Sequence, residues 1–135
     1  MRALLLGALL APAAALACGY CVEDKVAAAY DHAAVSSALK ASRTVVFFSI
    51  DGPLQSGDAY RRKLESLFAS TPGIEKSSVR LALEAATVAV AFDPKRANLG
   101  QVQNALERRL APLGLSLLPI RVMERPGDLA AVRRR

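Results

Sequence analysis

The chain of 135 residues has two cysteines, one histidine, no tryptophan and a formal net charge of +6. That length suits one domain around a single core. The cations are scattered except for Arg121, Arg125 and Arg133-Arg134-Arg135. With no aromatic-rich basic stripe, nucleic acid is excluded as the expected partner, and the terminal arginines read as a solvated tail.

Met1-Arg2 gives a short basic start, residues 3–10 are apolar and uncharged, and Ala11-Pro12 interrupts the run. Ala15-Leu16-Ala17 then places small residues where a signal peptidase reads them. Residues 1–17 are therefore expected to be a signal peptide, cut after Ala17, which sends the chain to the periplasm with no membrane span left behind. A retained anchor would need roughly 20 apolar residues followed by a charged stop. Lipidation of Cys18 is the weaker alternative, because Ala15 stands where a lipobox usually has Leu.

Residues 18–42 hold Cys18-Gly19-Tyr20-Cys21 and a helix predicted over 22–40, which is rich in Ala and free of Gly and Pro. Val22, Val26, Ala29, Tyr30 and Ala33 share one side of that helix. Val35 and Leu39 fall off this stripe, so the last turns should bend or be buried on two sides. Residues 44–50 (TVVFFSI) read as a strand stopped by Asp51-Gly52-Pro53. A helix over 58–70 follows, with Leu64, Leu67 and Phe68 on its apolar side, and it ends at Pro72-Gly73. Two strands are predicted over 78–83 and 87–92, then a helix over 99–110 with Val102, Leu106 and Leu110 at helical spacing. The last strand, 115–122, contains Pro119, which places it at a sheet edge. After the first helix the order is β-α-β-β-α-β. The expected class is thus α+β, a ferredoxin-like βαββαβ sandwich with an extra N-terminal helix.

Ile50-Asp51-Gly52, residues 64–68, Pro72-Gly73-Ile74, Val79 and the series from Val88 to Pro94 together resemble the heavy-metal-associated domain. That family occurs in copper chaperones and at the cytosolic ends of copper-transporting ATPases. The resemblance covers residues 43–122 and leaves 123–135 as a basic tail. It implies the ferredoxin-like fold and a soft metal held by Gly-Met-x-Cys-x-x-Cys after the first strand. Here that stretch reads Gly52-Pro53-Leu54-Gln55-Ser56-Gly57-Asp58. Gln55 and Asp58 replace the cysteines, and neither is a soft ligand for Cu(I).

The only cysteines, Cys18 and Cys21, precede the first helix. They could close a structural disulfide in an oxidising compartment, form a redox centre at a helix start, or hold a soft metal. Haem attachment needs His at the position of Val22. A thioredoxin-like enzyme needs a preceding strand that is missing here. A helix of about 19 residues is roughly 28 Å long, and a strand of about seven spans some 23 Å. Run antiparallel, they bring the cysteines back beside the 52–58 loop. Val45, Phe47, Ala89 and Ala91 form an apolar outer sheet face, where an open sheet would be polar, and that face suits a covering helix.

Other candidate groups carry less. His32 sits eleven residues beyond Cys21, about 16 Å along a helix, and reads as a surface or packing residue. Met123 is expected to pack, and Asp58 to cap the helix it begins. No nucleophile–base set or carboxylate pair can be assembled, so the chain is not expected to be an enzyme. The expected role is periplasmic binding or transfer of a soft metal by Cys18 and Cys21. Cu(I) comes first, Zn(II) is the second candidate, and a periplasmic protein is the partner in transfer. The alternative is a non-catalytic interaction module whose Cys18–Cys21 disulfide is structural or redox-regulated. Mass spectrometry of the exported protein should find Cys18 at the N-terminus. Retention of residues 1–17, or a diacylglyceryl mass on Cys18, would contradict the cleavage assignment.

Overall fold

The computed structural model describes residues 21–129. The expected signal peptide and Cys18 lie outside them, as do residues 130–135. Among the described residues there are four α-helices and a four-stranded antiparallel sheet. No described helix is long and apolar enough to cross a membrane.

The sheet is built from β1 (Thr44–Asp51), β2 (Arg80–Ala82), β3 (Thr87–Phe92) and β4 (Ser116–Met123), in the order β2-β3-β1-β4. Two helices form the links, α3 (Asp58–Ala69) between β1 and β2 and α4 (Leu99–Leu110) between β3 and β4. Side chains alternate across a strand, and the two faces of β1 feed two separate cores. Val46, Phe48 and Ile50 join Val88, Val90 and Phe92 under Leu64, Phe68, Val102, Leu106 and Leu110 of α3 and α4. Val45 and Phe47 join Ala89, Ala91 and Met123 on the other face, under Val26, Ala29, Val35, Ala38 and Leu39. The covered outer face expected from Val45, Phe47, Ala89 and Ala91 is therefore present.

Its cover is not the single helix expected over 22–40. Two helices stand there, α1 (Val22–Ala29) and α2 (His32–Lys40), separated by extended backbone at Tyr30 and Asp31. On one continuous helix Val26 and Val35, nine residues apart, would point about 180° from one another at 3.6 residues per turn. Only a break lets both reach the same sheet face. Asp31 fixes the break: one carboxylate oxygen accepts the Ala34 N–H at 3.1 Å and caps α2. The other accepts from Arg80 Nε of β2 at 2.8 Å.

Three smaller expectations also change. The second strand is shorter than 78–83, because Lys76–Ser78 and Leu83–Ala85 on either side of β2 are single 3-10 turns. The Ser78 hydroxyl accepts the Ala91 N–H at 2.8 Å in place of a ladder bond. Asp58 does not cap α3: Gly57, with φ +104°, is the cap position, and Asp58 is the first helical residue. Finally, β4 extends to Met123, which pairs with Val45 and is buried. Pro119 lies on the edge strand, as its lack of a donor requires.

Two measurements test this architecture. Phe47→Asp places an unpaired charge in the α1–α2 core and should destabilise the protein by about 3 kcal/mol or more in denaturant unfolding. Parent-like unfolding would mean that face is open to water. Arg80, helped by the Ala34 N–H, holds the Asp31 carboxyl below its ordinary 3.8. The Lys95 N–H and then Arg43 do the same for Asp93. A depressed folded pKa stabilises above the unfolded value and is lost as pH falls through the folded one. Asp31→Asn should therefore flatten the fall of stability from about pH 5 to about pH 2. A fall as steep as the parent's would show that the Asp31–Arg80 contact contributes nothing to acid sensitivity.

Candidate functional site

Cys21 occupies the cap position of α1 and is exposed, with its thiol free. Its carbonyl accepts the Lys25 N–H at 3.0 Å, and its sulfur donates to Asp24 Oδ2 at 3.1 Å. Asp24 was not singled out from the sequence, although a helix expected from residue 22 already places positions three apart on one face.

Two polar contacts fix where this helix start lies. Lys25 Nζ donates to Ser49 Oγ, near the end of β1, at 2.8 Å. Glu23 accepts from Arg121 of β4 at 2.9 Å. The first turns of α1 thus lie over β1 and β4, with Lys25 reaching toward the end of β1 from which the 52–58 loop departs. The break after Ala29 changes the route, because α1 crosses the sheet and touches all four strands instead of running along β1. The two loci also lie on opposite faces. Val26 and Ala29 of α1 pack on the Phe47 side, whereas Leu54 and Tyr60 pack on the Phe48 side.

The 52–58 loop is held by a close backbone approach. Gly52 has φ +118°, and a Cβ there would collide with the Gly114 carbonyl oxygen, so only glycine fits. Gln55 and Asp58 are exposed and line a depression of about 350 Å³ together with Arg61 and Glu84. The Arg61 guanidinium donates to the Leu81 carbonyl at 2.9 Å and meets Glu84 at 3.4 Å. With Asp58 and Glu84 beside one arginine, the depression offers hard oxygen groups and no thiolate. Arg61 was not singled out from sequence, because its role depends on where the turn after β2 brings Glu84.

His32 is exposed at the start of α2, with Nδ1 3.0 Å from the Tyr30 hydroxyl. The helix break at Tyr30-Asp31 separates it from α1, which Cys21 caps. Among the described residues no three His, Cys, Asp or Glu side chains converge as a metal-binding group. Of the expected ligand pair, Cys21 alone is described. Comparison with protein-family models, curated proteins and solved structures returns no match.

Proposed function

We propose that the chain is a periplasmic protein that binds or hands over a soft metal, Cu(I) first, through Cys18 and Cys21. In this reading a degenerate heavy-metal-associated domain serves as the scaffold. The strand order β2-β3-β1-β4 and the helical links β1-α3-β2 and β3-α4-β4 support the ferredoxin-like assignment. The observation that carries the metal reading is the exposed Cys21 thiol at the start of α1, anchored through Lys25 to the end of β1. Two thiolates suffice for Cu(I), whereas Zn(II) prefers four ligands. Asp24 and the amino group of Cys18, freed by a cut after Ala17, are the further donors that make Zn(II) the second candidate. A periplasmic protein with its own soft donors is the natural partner, since transfer between thiolates needs no free ion.

The alternative is an interaction module with a Cys18–Cys21 disulfide. It draws support from the 52–58 loop, where the family's usual position holds Gln55, Asp58 and the Arg61–Glu84 pair and no thiolate.

Reduced protein should bind one Cu(I) under anaerobic conditions in competition with a Cu(I) chelator. Cys18→Ser with Cys21→Ser should abolish that binding, while Gln55→Ala with Asp58→Ala should leave it nearly intact. A reduced parent that binds no better than the double serine variant would end the metal reading. Destabilisation on removing the cysteines from the oxidised protein would favour the module.

A further inference from the structure

β4 is an edge strand of eight residues, and it carries Leu118 and Val122, exposed by 62% and 38%. Unpaired edge backbone beside apolar side chains is a template for another strand. The nearest candidate is always the same strand of a second copy, which can pair antiparallel about a two-fold axis. Whether β4 can do this depends on where its outward N–H groups go.

The register answers this residue by residue. Ile50 donates its N–H to the Ala86 carbonyl at 2.8 Å, on the side of β1 away from β4. Its partner Leu117 therefore sits at a non-bonded position of the β1–β4 ladder and turns its backbone groups outward. Both groups are taken by α4. Glu107 Oε1 accepts the Leu117 N–H at 3.1 Å. Gln103 Nε2 donates to the Leu117 carbonyl at 3.0 Å and reaches Glu107 at 3.4 Å.

Two residues on, the outward position is Pro119, which has no N–H to offer. The register then shifts by one residue between Phe48 and Phe47, leaving Ile120 as a bulge. Alternation resumes with Val122 opposite Val46, and the next outward position, Glu124, follows the strand's end. Asp128 Oδ2 accepts the Glu124 N–H at 2.8 Å and the Arg125 N–H at 2.9 Å. Along this edge the outward positions are thus a capped residue, a proline, Val122 and a second capped residue. The opposite edge needs no such device, because β2 has three residues between two 3-10 turns.

We propose that Glu107, with Gln103, and Asp128 are edge guards, whose side chains occupy the outward backbone groups of β4 and bar a second copy from extending the sheet. The guards lie far apart in sequence and on different elements, yet they act on the first and the last of these four outward positions. The carboxylates carry the function as acceptors, so an amide oxygen in the same place should serve.

Analytical ultracentrifugation of the purified protein and its variants tests this, with circular dichroism confirming the fold. Glu107→Ala with Asp128→Ala should self-associate reversibly and at least double in mass as concentration rises. Glu107→Gln with Asp128→Asn should sediment as the parent does, and adding Val122→Lys to the alanine pair should restore the parent mass. The proposal fails if the folded alanine pair keeps the parent mass, or if its association survives Val122→Lys. Hydrogen exchange on the parent tests the same point without a variant. The Leu117 and Glu124 amides should exchange at least tenfold more slowly than that of Val122, and equal rates would overturn the guard assignment.

Discussion

The structure turns on the burial of β1 from both sides. Val45, Val46, Phe47 and Phe48 are four consecutive buried residues, and alternation along a strand sends two of them to each face. Each large apolar side chain so buried contributes about 1.5–3 kcal/mol. Either face left in water would forfeit that contribution and expose a continuous apolar patch. Helices α3 and α4 cover one face, and α1 and α2 must cover the other. The small residues Ala82, Ala89 and Ala91 let those two helices lie close on the sheet.

The polar contacts around the second layer act by geometry more than by strength. Lys25 to Ser49, Glu23 to Arg121 and Asp31 to Arg80 join the start of α1 and the α1–α2 joint to three different strands. Partly exposed ion pairs are worth at most about 1 kcal/mol. Their effect is to select one placement of α1 among those the apolar face would accept. That placement keeps α1, and Cys21 at its start, on the sheet face opposite the one against which Leu54 of the 52–58 loop packs. The 52–58 loop meanwhile presents Gln55 and Asp58 beside the Arg61–Glu84 pair.

Local patterning carried much of the fold. The β-branched and aromatic run over 44–50, the period-two series over 87–92 and the helical spacing of Val102, Leu106 and Leu110 each answer to a single element's own packing face. Their bounds agree with β1, β3 and α4 to within one residue. Pro119 identified an edge strand because a missing N–H is a local property with a global consequence. The apolar outer positions Val45, Phe47, Ala89 and Ala91 likewise announced a second layer, since water does not tolerate such a face.

What local pattern could not supply was anything that depends on two distant segments meeting. The chain from 22 to 40 has no Gly or Pro to mark a break, and Asp31, a favoured cap residue, is the local signal at the joint. The break at Tyr30-Asp31 arises because one sheet face must receive both Val26 and Val35, and because Arg80, 49 residues away, holds Asp31. The same holds for Arg61 beside Glu84 and for Glu107 on the edge of β4. The sequence by itself determined which residues need burial and which backbone positions cannot donate. The tertiary structure decided which polar side chains meet, because a salt bridge or a cap is set by the separation of elements in space, and composition and spacing along the chain do not encode that separation.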